Sequence, residues 1–170
     1  LCNIKLYVDE IIIKNNLSLS DEELYANLKL KRPTLFLRSE FTPKIYNFDL
    51  QNLIGYYKIK GFLDVDISGI YEKKSNQYIR ITYIIKEGNQ YQFNKLIIAG
   101  NKYLSDDIIK QYFQNEIGAH YNPAFIRNQM LNLKKEYLRN GKLDIFIKEE
   151  IIIEEHNINL RINISEGIQY

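Results

Sequence analysis

The sequence contains two copies of one pattern. Glu87–Tyr91 recurs as Glu166–Tyr170 after 79 residues, and Tyr57–Val65 recurs as Tyr137–Ile145 after 80 residues. Self-similarity at a fixed spacing is the signature of a repeated structural unit. The repeat constrains the fold more strongly than any single motif, because both copies must be compatible with one architecture.

The start of the pattern recurs at a longer spacing. Ile12–Asn16 aligns with Ile97–Asn101, 85 rather than 80 residues later, so the first copy carries five extra residues. We place these extra residues in a longer loop at about residues 29–41. The sequence therefore predicts two domains, residues 1–90 and residues 91–170.

The composition is that of a folded protein without a strong overall charge. Hydrophobic residues make up 45% of the chain and charged residues 26%, which excludes a disordered tail. The 23 basic and 21 acidic residues leave a net charge of +2, so no broad field favours nucleic acid or an anionic membrane. No apolar run approaches the ~20 residues that a membrane-spanning helix needs.

The second copy begins with a predicted strand and a helix. Lys95–Ala99 is apolar and β-branched, and Gly100-Asn101 ends it as a turn. Ser105 is a favourable N-cap for a first helix, which we expect Gly118 to end. Its apolar residues recur at helical spacing: Ile108, Ile109, Tyr112 and Phe113.

A second helix and a β-hairpin follow. Asn122-Pro123 predicts an N-cap followed by proline at the first helical position. One helical stripe comprises Ile126, Met130, Leu133 and Tyr137. Leu143–Ile153 reads as a strand with a bulge near Glu149-Glu150, where its parity breaks. After a turn at residues 155–157, strict alternation predicts a half-buried strand through Ile158, Leu160, Ile162 and Ile164.

The first copy follows the same plan. Ser20 and Glu23 have capping-box spacing, and Pro43 opens the second helix. The predicted inward residues are Leu24 and Leu28 of the first helix and Tyr46, Leu50, Leu53 and Tyr57 of the second. The closing strands are predicted at Leu63–Tyr71 and Gln77–Lys86. The fold class is therefore α+β: two tandem β-α-α-β-β units, each a three-stranded mixed sheet with two helices on one face.

This pattern resembles the polypeptide-transport-associated (POTRA) domain, over about residues 4–88 and 91–170. The residues that carry the resemblance are Tyr57, Gly61, Gly88, Gly100, Asn101, Tyr137, Gly141 and Gly167. Asn15-Asn16 replaces the Gly-Asn pair in the first copy, and Asn also tolerates positive φ. The longer loop is similar to that of the TamA-like branch.

The resemblance implies the periplasmic part of a BamA-like or TamA-like outer-membrane assembly factor. Such domains bind unfolded outer-membrane proteins and accessory assembly subunits, precede the protein's own C-terminal membrane β-barrel, and catalyse no reaction. The implied route is β-augmentation, the pairing of an extended client with an exposed strand edge. The second strand of each unit lies at that edge in the family. The implied binding residues are Leu63, Asp64, Val65, Asp66 and Ile67, with Leu143, Asp144, Ile145, Phe146, Ile147 and Lys148.

Charged residues mark both predicted edges. Asp64 and Asp66 lie on the first; Lys148, Glu149 and Glu150 lie on the second, as protection against promiscuous pairing. The neighbouring run Ile151–Ile153 is either client-binding surface or core. We favour core, because a doubly covered strand reads as a continuous apolar run.

Other functions have less support in the sequence. His120 and His156 are interpreted as loop and turn residues, because a zinc site needs about four ligands. No phosphate-cradling glycine loop or nucleophile motif is present, so we expect no cofactor and no small-molecule substrate. A KH-like RNA-binding module lacks its G-x-x-G loop here, and we expect no nucleic acid. A two-partner-secretion pore or a division-associated POTRA protein would keep the fold and change the client.

Cys2 is the only cysteine in the chain. A single cysteine allows no intrachain disulfide and no cysteine cluster for a metal. We recognise no signal peptide before it. Leu1-Cys2 is either the remnant of a lipoprotein cleavage site, whose cysteine becomes the mature N-terminus, or an ordinary cysteine.

Overall fold

The computed structural model describes residues 5–167. The expectations for Cys2 and for Ile168–Tyr170 lie outside the described residues. The chain divides into two compact units. The first runs to Lys58 and resumes over Phe62–Gly88, and the second comprises Ile59–Gly61 and the residues from Asn89 onward.

The first unit is built on a four-stranded mixed sheet. Its elements in chain order are β1 (Leu6–Lys14), α1 (Asp21–Ala26), β2 (Glu40–Phe41), α2 (Pro43–Ile59), β3 (Asp66–Lys73) and β4 (Tyr78–Lys86). The strand order is β2-β1-β4-β3. The central pair β1-β4 is parallel, and both outer pairs are antiparallel.

The second unit repeats the plan with three strands. Its elements are β5 (Gln92–Ala99), α3 (Asp106–Gln111), a 3-10 turn (Gln114–Glu116), α4 (Pro123–Arg139), β6 (Phe146–Glu154) and β7 (Asn157–Ser165). The strand order is β5-β7-β6, with β5 parallel and β6 antiparallel to the central β7. The predicted α+β fold class is confirmed.

The extra strand β2 was not predicted. Glu40 and Phe41 pair with Tyr7 and Leu6 on the open side of β1. The longer loop therefore returns to the sheet before α2 begins, which satisfies backbone groups at an edge that would otherwise be open.

The helix starts follow the predicted capping chemistry. Ser20 and Glu23 form both hydrogen bonds of the capping box, and the Asn122 side chain accepts from the N–H groups of Ala124 and Phe125. The helical stripes are buried at Leu24, Leu53 and Tyr57 in the first unit and at Ile126, Leu133 and Tyr137 in the second.

The first helix of the second unit is shorter than predicted. α3 ends at Gln111, and the chain continues as a 3-10 turn before Gly118. Ile109 and Phe113 are buried as expected, but Ile108 is exposed. On so short a helix the core covers a narrow stripe, and an adjacent apolar residue falls outside it.

The structure also corrects the start of both edge strands. Leu63, Asp64 and Val65 precede β3 in a turn, and the same holds for the second triplet, which comprises Leu143, Asp144 and Ile145. Val65 and Ile145 are nevertheless buried. In the sequence, an apolar residue that lies in a turn and packs into the core cannot be distinguished from a strand residue.

The predicted bulge near Glu149-Glu150 is wrong. β6 pairs with β7 in an unbroken register from Phe146 to Glu154. The register shifts occur instead in the first strand of each unit, at Asp9 in β1 and Asn94 in β5. The charged pair in β6 lies on an edge with one neighbouring strand, so it breaks the hydrophobic alternation without breaking the ladder.

The central strand β7 supplies most of the core of its sheet. Four residues are buried as predicted: Ile158, Leu160, Ile162 and Ile164. Asn159, which was predicted on the solvent-exposed face, is also buried. Its side-chain oxygen accepts a 2.9 Å hydrogen bond from Nδ2 of Asn94, the bulge residue of β5. The bulge thus places a hydrogen-bond donor beside the buried Asn159 side chain, which would otherwise have no partner to replace water.

Candidate functional site

The glutamate of each Glu-Gly pair is a hydrogen-bond hub. In the first unit, Glu87 accepts from the backbone N–H of Ser18 at 2.9 Å, from its hydroxyl at 2.7 Å, and from the Tyr57 hydroxyl at 3.0 Å. Burial, and then the Glu87 carboxylate, raise the pKa of Tyr57 above its ordinary value. One side chain therefore ties the first loop to the end of α2.

The second unit repeats this hub with one difference. Glu166 accepts from the backbone N–H groups of Lys102 and Tyr103 at 2.7 and 2.8 Å. Burial alone would raise the pKa of Glu166. These N–H donors, with smaller contributions from the nearby Tyr137 hydroxyl and the Lys142 charge, outweigh burial and hold the pKa below its ordinary value. The Tyr137 hydroxyl is buried without a hydrogen bond of good geometry; burial, with the nearby Glu166 charge second, raises its pKa to about 12.

The asparagine after the first strand makes equivalent hydrogen bonds in both units. Nδ2 of Asn16 donates to the Leu19 carbonyl and to Asp21, and Nδ2 of Asn101 donates to the Leu104 carbonyl and to Asp106. All four distances lie between 2.8 and 3.0 Å. The repeated Asn is therefore a loop clamp that positions the first turn of the following helix.

The repeated Asp-Gly relationship is also structural. A Cβ on Gly88 would lie 2.9 Å from Cβ of Asp64, and a Cβ on Gly167 would lie 2.6 Å from Cβ of Asp144. Both glycines also have positive φ. Asp64 and Asp144 thus pack on the closing glycine of their own unit, which explains why these acids and glycines recur together.

Two edge strands carry the remaining predicted binding residues. β3, which holds Asp66 and Ile67, pairs only with β4, and β6, which holds Phe146, Ile147 and Lys148, pairs only with β7. Within the described residues, the other long side of each strand has no partner strand. Such a side presents unpaired N–H and C=O groups.

The edge strand β6 carries exposed apolar residues on either side of the charged segment Lys148–Glu150. Phe146 is 64% exposed, Ile151 44% and Ile153 51%. The expectation that Ile151–Ile153 belongs to the core is therefore wrong: the first and last residues are exposed, and Ile152 is half-buried. They pair with buried residues of β7, but an edge strand has a neighbour on one side only, so its side chains stay open to solvent.

A groove lies beside the first half of β6. Its volume is about 350 Å³, and it is lined by Arg127, Met130, Leu131 and Lys134 of α4 and by Phe146, Ile147, Lys148 and Glu149 of β6. The helix side contributes apolar surface at Met130 and Leu131, the latter half exposed. An apolar groove along an unpaired strand accommodates alternate side chains of an extended peptide.

The edge of β3 exposes fewer apolar residues. Its exposed apolar residues are Ile70 and Tyr71, and the Tyr71 ring contacts the rings of Phe41 and Tyr46 at 4.8 and 5.1 Å. Gly69 lies under the Tyr46 hydroxyl, where a Cβ has no room. Much of the apolar surface at this edge is therefore committed to an aromatic cluster of its own unit.

Sequence reasoning missed Asp49, a fully buried carboxylate in α2. It accepts the backbone N–H groups of Lys29 and Leu30 at 2.7 and 2.8 Å. Burial raises its pKa, and the two N–H donors oppose that shift. The only sequence signal was an acid on the inward side of a helix, and position 129, its counterpart in the second unit, is glutamine.

Residues 5–167 hold no group of three or more His, Cys, Asp and Glu side chains placed to bind a metal ion. His120 and His156 are both exposed. Among the same residues, no helix has the length and apolar character to cross a membrane.

The family model for POTRA, described as "Surface antigen variable number repeat", matches residues 6–88 and 91–167. A Treponema pallidum (strain Nichols) protein with the provisional name outer membrane protein assembly factor is 23% identical over 149 residues, 84% of this chain and 18% of that protein. The outer membrane protein assembly factor BamA of Neorickettsia risticii (strain Illinois) is 24% identical over 106 residues, 61% of this chain and 14% of that protein. The chain therefore spans less than a fifth of either curated relative.

A solved structure has the same fold. Haemophilus influenzae BamA POTRA3-5 superposes with a TM-score of 0.74 at 14% sequence identity, covering 96% of this chain and 67% of that one.

Proposed function

The chain belongs to the POTRA family, and on that premise we propose that it is the periplasmic substrate- and partner-binding region of an outer-membrane β-barrel assembly factor. The curated relatives carry assembly-factor names, which supports this placement. In the proposal, the chain binds unfolded client proteins and accessory assembly subunits, lies before a membrane β-barrel, and catalyses no reaction.

The observation that carries the proposal is the unpaired apolar edge of β6. This nine-residue strand exposes Phe146, Ile151 and Ile153 outside the charged segment Lys148–Glu150, and exposed apolar residues on an open edge favour pairing with another chain. An extended client segment that pairs with β6 continues the sheet through main-chain hydrogen bonds. Because those bonds do not depend on client sequence, this mode suits a protein that handles many clients.

The groove between α4 and β6 adds side-chain selectivity. Every second client residue would face Met130 and Leu131, which favours the alternating apolar pattern of membrane barrel strands. Arg127 and Lys134 at the same groove favour acidic residues beside the apolar ones. We assign the edge of β3 a weaker role, since its aromatic surface already packs within its own unit.

Photo-crosslinking tests the proposal with a matched pair of positions. Lys148 on β6 and Lys95 on β5 are exposed lysines on the two outer strands of the same sheet. A photoreactive residue at position 148 is expected to capture a synthetic barrel-strand peptide. One at position 95 is expected to capture far less, because residues 118–120 already pair with the start of β5 at Gln92 and Phe93. Equal capture at both positions, or none at 148, would overturn the proposal.

Proline substitution separates backbone pairing from side-chain contact. Neighbouring residues of an edge strand direct their N–H groups alternately to the partner strand and to solvent. Of Lys148→Pro and Glu149→Pro, one should therefore retain the melting temperature of the parent protein. That variant is expected to lose peptide capture, because proline removes an outward donor and its ring obstructs pairing.

A further inference from the structure

The longer loop of the first unit ends in an exposed apolar tip, which we define as Leu35, Phe36 and Leu37. Phe36 is 98% exposed and Leu35 95%, the two largest values among the large apolar side chains of the described chain. Leu37 is 53% exposed. Three consecutive large apolar residues in solvent oppose the hydrophobic effect, so an unoccupied tip needs a function to account for it.

The tip is held in a defined turn. The backbone N–H of Thr34 donates to the Leu37 carbonyl at 2.9 Å, and the Leu37 N–H donates to Oγ1 of Thr34 at 3.1 Å. The loop is also anchored on both sides. The buried Asp49 carboxylate binds the N–H groups of Lys29 and Leu30 before the tip, and β2 pairs with β1 after it. The tip is therefore presented outward by a fixed base.

Basic residues flank the tip in sequence. Between Glu23 and Glu40 the chain has four basic residues, Lys29, Lys31, Arg32 and Arg38, and no acidic residue. The Arg32 guanidinium lies 3.9 Å from the Tyr25 ring centroid, and that of Arg38 lies 5.9 Å from the Tyr78 ring centroid. These contacts hold the two arginines at the base of the loop, on both sides of the tip in sequence. The nearly neutral chain thus carries a cationic segment around the tip, while Asp9, Glu10 and Asp21 lie near Arg32 at the base of the loop.

We propose that this tip inserts into the surface of an anionic phospholipid bilayer. Apolar side chains beside Lys and Arg are the composition that binds at the boundary of headgroups and acyl chains. The cations are attracted to lipid phosphates, and their apolar stems remain at the interface. A protruding turn offers an extended protein client neither a groove nor an unpaired strand. The contact is therefore distinct from client capture at β6 and does not depend on it.

The membrane proposal also fits the scale of the feature. Three apolar side chains and four cations are a weak, reversible anchor compared with a membrane-spanning helix. Such an anchor orients a domain at a surface rather than fixing it there. Each cation is expected to contribute roughly fivefold to the partition coefficient at low salt, and the apolar tip at least roughly tenfold.

Fluorescence tests the insertion directly, because the chain contains no tryptophan. In Phe36→Trp, the single tryptophan is expected to shift its emission to the blue on vesicles of equal phosphatidylglycerol and phosphatidylcholine, and to be quenched by brominated acyl chains. Leu17→Trp is the matched control. Leu17 is 91% exposed in the same unit and has no charged residue within two positions, so its emission should not shift.

Vesicle sedimentation of the 170-residue chain tests the two components separately. Leu35→Ser with Phe36→Ser is expected to lower the partition coefficient at least roughly tenfold. Lys31→Gln with Arg38→Gln should lower it roughly tenfold or more at low salt, with little effect in 0.5 M salt. Because these side chains are exposed, we expect the variants to keep the melting temperature of the parent protein. Thermal unfolding of each variant verifies that it is folded.

Three outcomes overturn the proposal: no response of Phe36→Trp to anionic vesicles, an equal response of Leu17→Trp, or equal binding to vesicles of pure phosphatidylcholine. A tryptophan response to a barrel-strand peptide but not to vesicles would instead identify the tip as a protein contact. Because the β6 crosslinking experiment contains no lipid, the failure of one proposal is distinguishable from the failure of the other.

Discussion

Tyr57 and Glu87 are joined by a 3.0 Å hydrogen bond across 30 residues of sequence, whereas their counterparts Tyr137 and Glu166 are close without a bond of good geometry. The two units therefore use the same residue types at the same positions with different bonding. This difference allows the contribution of one hydroxyl group to be measured inside a single chain.

Tyr57→Phe is expected to destabilise the first unit by ~0.5–1.5 kcal/mol, because the hydrogen bond from the Tyr57 hydroxyl to Glu87 is lost. Tyr137→Phe is the matched control and should be neutral or slightly stabilising, because it removes a buried hydroxyl that has no good partner. Urea unfolding of both variants measures the difference. Equal losses would show that the two hydroxyl groups are bonded alike in solution.

The pH dependence of stability should reveal Glu166. Its folded pKa lies below the ordinary value of 4.5, so ionised Glu166 stabilises the fold above about pH 4.5, and this stabilisation is lost as pH falls through the folded pKa. Glu166→Gln is therefore expected to be less stable than the parent at pH 7 and to approach it near pH 3. Glu154→Gln, at an exposed position in β6, is the control, and urea unfolding of both variants at pH 7 and pH 3 makes the comparison.

Alanine at Gly100 and at Gly55 should have opposite effects. Gly100 has φ of 82° and faces the Ile164 carbonyl oxygen, where a Cβ does not fit. Gly100→Ala is expected to cost at least ~1–2 kcal/mol. Gly55 lies in α2 with open space around it, so Gly55→Ala should stabilise by ~0.5–1 kcal/mol. Thermal unfolding measures both, and a loss at position 55 would contradict the helix assignment.

Asp49→Asn should release the base of the longer loop. The new amide nitrogen would face a backbone N–H, so two donors would meet without an acceptor. We expect the free energy of unfolding to fall by ~1–3 kcal/mol. Limited proteolysis should cut residues 31–39 faster in this variant than in the parent. Gln129→Ala, at the equivalent position of α4, should change stability by less than ~0.5 kcal/mol. Unchanged cleavage would show that Asp49 does not anchor the loop.

The buried face of β7 provides a test of its register. Ile162→Asp places a charge at a fully buried position and is expected to destabilise the second unit by ~3–5 kcal/mol. Asn163→Asp, one residue along and on the opposite face of the strand, should be tolerated. Circular dichroism melts compare the two variants, and a parent-like melt for Ile162→Asp would disprove the assigned face.

The local elements could be predicted from the sequence because their signals are local. The Ser20 capping box, the stripe of α4 and the alternation of β7 each depend on residues within a few positions. The exposure of Ile151 and Ile153 could not be predicted, since an apolar run has the same sequence whether one or two strands flank it. Asp49 was missed because its partners lie 19 and 20 residues away.

The candidate site, too, was predicted from the sequence only in part. The edge position of β6 followed from the family resemblance, and its true start at Phe146 required the structure. Leu143 and Asp144 had the composition of a strand, but the backbone uses them in a turn. Binding at β6 and at β3 is a prediction, and the crosslinking pair at positions 148 and 95 tests binding at β6.

The glutamate hubs also set an order of folding. Ser18 meets Glu87 across 69 residues, and Lys102 meets Glu166 across 64. A chain that emerges from its amino terminus cannot complete the first loop of a unit until the last residues of that unit have emerged. Each unit is therefore expected to close late and as a whole. The first can be complete before β5, the first strand of the second unit, has emerged, which limits mispairing between two such similar sequences.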